Sequence, residues 1–139
     1  MKLSIINKSR LERTFRLDAD YYQSGYTDIE KVLLQKQNVY SIIDICKVSD
    51  GNHMSIAEHF NYENGIPYYR GQDITDFFLE NVSPVYISRE IFNFPMMKRS
   101  HFNVGDVLVS IVGTIGNLSL VTNAVIEATG SCKIAILRQ

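Results

Sequence analysis

The chain has 139 residues, of which 45% are hydrophobic and 21% are charged, so it can build one domain with a real core and is not disordered as a whole. Its formal net charge of -1 excludes a histone-like polycation, and contact with nucleic acid would need a local basic patch. No apolar run approaches the roughly 20 residues that a membrane span needs, and residues 1–15 lack the apolar core of a signal peptide. These features predict a single cytoplasmic domain over residues 1–139.

The chain begins with a basic arm over residues 1–17, which is either solvated or in contact with phosphate or a partner protein. Its basic residues are Lys2, Lys8, Arg10, Arg13 and Arg16. A helix is predicted next, because Thr27 and Glu30 match the T-x-x-E capping box. Ile29, Val32 and Leu33 then follow with helical spacing.

The middle of the chain predicts short elements separated by turns. Residues 41–48 indicate a short helix that runs into a strand, with Cys46 beside it. Residues 49–65 form the longest polar stretch, and so long a loop in a compact domain is usually functional or disordered. The segment IPYYRG predicts a strand, and FFLENVSPVYIS predicts two short strands around Pro84. SREIFNFP predicts a short helix that is capped by Ser88 and stopped by Pro95.

Residues 102–121 read FNVGDVLVSIVGTIGNLSLV, with two apolar runs around a glycine-rich turn. No lysine and no helix follow the second glycine of GTIG, whereas a phosphate cradle needs the N-terminus of a helix at that point. The better interpretation is a hairpin in which Gly113 and Gly116 take positive φ, preceded by a turn at Gly105 and Asp106. The closing segment, KIAILRQ, predicts a further strand.

The predicted fold class is α+β. One clear helix, one or two short helices and about six short strands lack the regular strand–helix alternation of a doubly wound sheet. The elements therefore predict a mixed, mostly antiparallel twisted sheet of short strands, an N-terminal helix and one or two short helices.

Metal and disulfide chemistry are not predicted. Cys46 and Cys132 are far apart and have no C-x-x-C spacing, so they are interpreted as buried thiols in a reducing compartment. His53, His59 and His101 match neither H-E-x-x-H nor H-x-x-E-H. The serines show no G-x-S-x-G nucleophile elbow.

Beyond these excluded chemistries, the sequence offers a set of polar side chains that are suited to contact with DNA. Arginine can bind O6 and N7 of guanine with two hydrogen bonds, and glutamine can bind N6 and N7 of adenine in the same way. The candidates for DNA contact are Asn52, His53, Ser55, Arg70, Gln72, Lys98 and Arg99. Any one of them is more often a solvated tip, but together they indicate a binding surface without catalytic groups.

The ordered series of motifs resembles the target-recognition domain of the specificity (S) subunits of type I restriction–modification systems. The motifs are R-L-D-A-x-Y-Y at 16–22, I-I-D-I (typically L-x-D-I) at 42–45, D-G-x-H at 50–53, G-I-P-x-x-R at 65–70 with D-I at 73–74, I-S at 87–88, and G-D-V-L-x-S-x-x-G-T-I-G at 105–116. Each motif alone is unspecific, whereas the ordered series is fairly specific.

This resemblance implies a non-catalytic module that recognises double-stranded DNA. Its partners would be the methylation (M) and restriction (R) subunits, which use S-adenosylmethionine and ATP, so no cofactor is expected in this chain. Since the family's domain continues beyond KIAILRQ into further helices, the resemblance also implies a partial domain. Two alternatives stay open, namely a protein-interaction or assembly fragment of the specificity subunit and the target-recognition region of a fused restriction–methylation enzyme.

Overall fold

The computed structural model describes residues 5–9, 11 and 16–139. The chain divides into two compact units, Met1–Ser41 and Ile42–Gln139. Much of the predicted basic arm lies outside the described residues, including Lys2, Arg10 and Arg13. The arm and the single-domain boundary of 1–139 stay predictions.

The first unit contains helix α1 (Ser24–Leu34), which begins earlier than its sequence pattern predicts. The Thr27 hydroxyl donates to the carbonyl oxygen of Ser24 at 3.0 Å, so Thr27 lies inside the helix and the predicted capping box is wrong. The earlier start follows from a preceding turn, because the Asp18 carboxylate accepts the N–H of Tyr21 at 2.9 Å and directs the chain into the helix.

The second unit contains two short helices, α2 (Ile42–Ile45) and α3 (Arg89–Phe92), and a set of short strands. The strands are β1 (Lys47–Asp50), β2 (Ile66–Tyr69), β3 (Val85–Ile87), β4 (Val107–Ser110), β5 (Leu118–Leu120), β6 (Thr129–Gly130) and β7 (Ile134–Arg138). They form a four-stranded sheet in the order β1-β7-β4-β5 and a three-stranded sheet in the order β3-β2-β6. All neighbours pair antiparallel except β2 and β6, which are parallel. The α+β prediction is confirmed, with two sheets instead of one.

The core follows the alternation of the strands. Leu108 on β4 and Ile134 and Ile136 on β7 are fully buried, while the residues between them are partly exposed. Each such side chain contributes about 1.5–3 kcal/mol to the free energy of folding. A second cluster forms around Ile87 and Met97, which are also fully buried.

The helix cap at Ser88 and the segment before Pro84 differ in how well the sequence predicts them. The Ser88 hydroxyl accepts the N–H of Ile91 at 3.2 Å, which confirms the predicted helix cap. The strand predicted before Pro84 is instead a 3₁₀ turn at Leu79–Asn81. The physical reason is Asp76, whose carboxylate accepts the N–H of Phe78 and the side-chain amide of Asn81, both at 3.1 Å, and so turns the backbone.

The two cysteines are free thiols that are half-buried, so the prediction of buried thiols is wrong. Cys46 follows the exposed helix α2, and Cys132 lies in the turn between β6 and β7. No helix in residues 5–9, 11 and 16–139 has both the length and the apolarity to cross a membrane.

Candidate nucleic-acid interface

Three turns of the second unit border one cleft of about 370 Å³. They are the 3₁₀ turn Gly71–Asp73 after β2, the loop of the β4–β5 hairpin, and the turn between β6 and β7. The polar residues that line the cleft are Arg70, Gln72, Thr114, Ser131 and Lys133. The cleft therefore combines an arginine, a lysine, an amide and two hydroxyls in one concave surface.

Backbone contacts hold the three turns together. The N–H of Ile111 donates to the carbonyl oxygen of Lys133 at 3.0 Å, and the N–H of Ser131 donates to that of Tyr69 at 2.9 Å. A β-carbon on Gly71 would lie 2.9 Å from Cβ of Lys133, so the close approach of these two turns requires glycine at this position. The rim of the cleft is therefore fixed by the fold.

The hairpin loop has the predicted geometry. Gly113 and Gly116 have φ values of 86° and 93°, as expected for a tight turn. The Ser110 hydroxyl donates to the carbonyl oxygen of Thr114 and accepts the N–H of Asn117, the latter at 3.1 Å. Strand β5 follows the loop, so the loop does not lead into a helix whose N-terminus could hold a phosphate.

Two aromatic rings form an apolar wall of the cleft. The rings of Phe60 and Tyr68 lie 5.3 Å apart and are tilted by 39°. Burial raises the pKa of Tyr68, while a hydrogen bond with Asn52 opposes that rise. The phenol therefore stays neutral at physiological pH.

Arg70 forms a bidentate ion pair with Asp73. Its Nε donates to Oδ2 and its Nη2 donates to Oδ1, both at 2.8 Å. The N–H of Arg70 also donates to Oδ2 at 2.8 Å, which closes the turn on itself. The hydrogen bond with Asp73 raises the pKa of Arg70. Between these two residues, Gln72 lies exposed at the tip of the turn.

A second bidentate pair lies at the Gly105–Asp106 turn, where Gly105 has a φ of 91°. Asp106 is 1% exposed and accepts Nε and Nη2 of Arg138 at 2.7 and 2.6 Å. Nη2 of Arg138 also donates to the carbonyl oxygen of His101 at 2.9 Å. The hydrogen bond with Asp106 raises the pKa of Arg138. This pair fastens β7 to the turn that precedes β4.

Three other candidates gather at the end of β1, where Asp50 contacts both His53 and Arg99. The side chains of His53 and Arg99 are 60% and 57% exposed, and Lys98 beside them is exposed as well. Arg99 and His53 therefore share one carboxylate at the surface.

The structure places Asn52 differently from the other candidates. It is only 2% exposed, and its side-chain amide donates to the carbonyl oxygen of Met54 at 3.0 Å and accepts the N–H of Met54 at 2.8 Å. Its amide is thus engaged inside the protein, which argues for a structural role. Ser55, farther along the same loop, is exposed.

Comparison with known proteins identifies the fold. No family model and no curated protein match the chain. Among the solved structures that resemble it, two match over 94% of its length. One is the HsdS subunit from Thermoanaerobacter tengcongensis, with a TM-score of 0.52 and 18% identity. The other is a chain from a study of complex assembly and conformational transition of the type I R-M system, with a TM-score of 0.53 and 19% identity.

This chain has an HsdS-type fold. It spans 33% of the length of each of those chains. The predicted resemblance to type I specificity subunits is confirmed at the level of the fold.

Within the HsdS-type fold, Lys133 is the charged cleft residue that the sequence did not single out, and the hydroxyls of Thr114 and Ser131 were not singled out either. Lys133 is exposed and lines the cleft beside Arg70 and Gln72. The available signal was a lysine at the start of a predicted strand, directly after the turn segment TGSC. The parallel pairing of β2 with β6 and the antiparallel pairing of β4 with β7 bring that turn to the end of β2, and such long-range pairings are not visible in a local sequence window.

Proposed function

We propose that this chain recognises a specific sequence in double-stranded DNA as a target-recognition domain of a type I restriction–modification specificity subunit. The cleft carries the proposal, because three fixed turns hold Arg70, Gln72 and Lys133 beside an aromatic wall within an HsdS-type fold. Base readout depends on hydrogen-bonding groups that are held rigidly at base-pair edges. Arg70 and Gln72 are the proposed base contacts.

The hairpin loop beside the cleft adds apolar contact surface. Ile111, Val112 and Ile115 are 41%, 49% and 75% exposed. Apolar side chains distinguish thymine through its methyl group, so an exposed apolar loop suits the floor of the major groove. The loop and the cleft would then contact neighbouring base pairs.

Exposed cations of the second unit are the proposed phosphate contacts. These are Lys133 in the cleft and Lys98 and Arg99 next to the end of β1, and the polar side chains of His53 and Ser55 lie on the adjoining loop. Asp50 partly offsets the charge of Arg99, and the net charge of the chain is -1. Binding to random DNA at physiological salt is therefore expected to be weak.

The chain acts without catalysis of its own, in the cytoplasm, together with methylation (M) and restriction (R) subunits that carry out the chemistry. The similar HsdS and type I R-M chains support this assembly through their common fold. The same role in reading DNA would apply within a fused restriction–methylation enzyme.

A selection experiment tests the proposal. Random duplexes are bound to the chain, alone and within a specificity subunit that carries it, and the bound sequences are read after several rounds. We expect one enriched half-site. Lys133→Ala should weaken binding to all sequences alike and reduce the slope of log K against log salt by about one unit. The matched control is Lys47→Ala at the opposite end of β1 from Asp50, which should leave the slope unchanged. Failure to enrich any sequence in either context would contradict the proposal.

A second function, as an assembly surface, is favoured by helix α1. Tyr26, Ile29 and Leu33 are 62%, 61% and 48% exposed and, with Tyr21 and Glu30, border an open groove of about 370 Å³. An exposed apolar helix face of this kind is typical of a protein-interaction site. If DNA selection fails while the chain retains an M subunit, and Ile29→Asp abolishes that retention, the assembly function is the correct one.

A further inference from the structure

We infer that Arg70 reads a guanine in the recognised half-site and that Asp73 is a positioning residue that fixes the arginine for this contact. The inference rests on the proposed DNA-recognition function and deepens it, because it assigns a base to one side chain.

The geometry leaves one edge of Arg70 for a ligand. A guanidinium group has a side edge, formed by Nε and one Nη, and an end edge formed by the two Nη atoms. Asp73 occupies the side edge, through contacts of 2.8 Å to Nε and to Nη2. The end edge keeps two parallel N–H donors on a side chain that lines the cleft and is 34% exposed. Two parallel donors match O6 and N7 of guanine.

The orientation of this edge is set before any ligand arrives. Asp73 is 7% exposed and also accepts the N–H of Arg70, so the carboxylate is fixed to the backbone that carries the arginine. Gly71 holds the turn against Lys133. A free arginine loses rotamer freedom when it binds, and here Asp73 has already restricted the side chain. Preorganisation of this kind increases affinity for a ligand of matching geometry.

Charge favours a base over a phosphate. Asp73 offsets the charge of Arg70, so the pair offers directed hydrogen bonds with little net attraction for an anion. Lys133 lies in the same cleft and supplies a cation at the surface. Lys133 is therefore suited to contact a phosphate, and Arg70 is suited to contact the neutral edge of a base.

The test uses modified DNA and matched variants. Each guanine of the selected half-site is replaced in turn by 7-deazaguanine, which lacks the N7 acceptor. Binding is measured with the wild-type chain and with Arg70→Met, Asp73→Asn and Arg89→Met, all in the same specificity subunit. Arg89 is the control, because its end edge already binds both oxygens of Glu127, at 3.0 and 2.7 Å.

At one guanine of the half-site, the effect of 7-deazaguanine on binding should depend on the presence of Arg70. Replacement of that guanine should weaken wild-type binding about tenfold and Arg70→Met binding less than about twofold. Arg70→Met should weaken binding to the unmodified site roughly 5- to 150-fold, with the salt slope unchanged. Asp73→Asn should reduce the 7-deazaguanine effect, a change that lower stability alone would not produce. Arg89→Met should behave as the wild type.

The outcomes separate this inference from the function on which it rests. If no sequence is enriched by the wild-type chain, the proposed function fails. If a half-site is enriched but no guanine couples to Arg70, only the guanine assignment is wrong. If Arg70→Met weakens all duplexes equally and lowers the salt slope, Arg70 contacts phosphate and the inference is overturned.

Discussion

Two Arg–Asp pairs in the second unit share their chemistry and differ in their surroundings. Arg138 and Asp106 are 32 positions apart, and Arg138 also donates to the carbonyl oxygen of His101. Arg70 and Asp73 are three positions apart, and Arg70 lines the cleft. The first pair joins distant segments, whereas the second orders one turn.

The same kind of ion pair can therefore serve either stability or recognition, depending on where its two residues lie in the chain. A buried carboxylate has to keep its partner, and a pair between distant segments is lost only when the fold opens. A local pair adds little to the global fold, because its partners stay close even in the unfolded chain. It can instead hold a side chain in place for a ligand. Two measurements test this distinction, and two more test the hairpin loop beside the cleft, in order of decreasing expected effect.

Arg138→Met should lower the free energy of unfolding by about 3 kcal/mol, because Asp106 is left buried without its cation. Urea denaturation at pH 7 measures the loss. The control is Arg89→Met, which breaks an exposed pair with Glu127 and should cost much less, because water screens the pair. Equal losses in the two variants would mean that Arg138 does not fasten the sheet.

Gly116→Val should lower the free energy of unfolding by about 1–2 kcal/mol, and Gly113→Val by a similar amount. Both glycines have positive φ, and a β-carbon added at either would meet no atom within 4 Å, so the cost is backbone strain alone. Thermal melting measures it. Gly25→Ala, at an uncrowded position within α1, should instead leave stability unchanged or raise it by up to about 1 kcal/mol. Unchanged melting of both hairpin variants would mean that the loop is not held in a rigid turn beside the cleft.

Arg70→Met should cost about 1 kcal/mol in the free energy of unfolding, less than Arg138→Met, since Arg70 and Asp73 lie three positions apart and Asp73, at 7% exposed, is less deeply buried than Asp106. The same urea titration measures it beside Arg138→Met. A loss as large as that of Arg138→Met would show that the two pairs have the same structural role, and the distinction between them would be wrong.

The chain should bind neither ATP nor S-adenosylmethionine. The GTIG loop leads into a strand and is not followed by lysine, so isothermal titration should show no saturable heat. Micromolar binding that disappears in Gly113→Val would refute this expectation and restore the loop as a phosphate site.

The parts of the fold that sequence predicts best are governed by local backbone chemistry. Gly113 and Gly116 signal a tight turn, and Ser88 signals a helix cap, because each depends on atoms within a few residues. The early start of α1 was missed since Asp18, outside the helical pattern, sets it through a turn.

The candidate site was only partly predictable, because it depends on contacts between residues that are far apart in the sequence. Arg70 and Gln72 follow a recognisable strand, whereas Lys133 reaches the cleft through strand pairings over long sequence distances. Asparagine is typical of surface loops, yet the β-bridge between the backbones of Asn52 and Ser131 places Asn52 in the interior. Burial of a polar loop residue depends on its distant partners, which a local pattern does not contain.

The position of β7 has a consequence for how the protein is made. It is the last described strand in chain order, yet it lies between β1 and β4, and Asp50 of the first strand pairs with Ala135 of the last. During synthesis on the ribosome, β1 and the β4–β5 hairpin leave the exit tunnel with unpaired edges that only β7 can cover. Such long-range pairing slows folding and leaves the nascent chain open to aggregation. We therefore expect premature termination before Ile134 to yield chains that depend on chaperones.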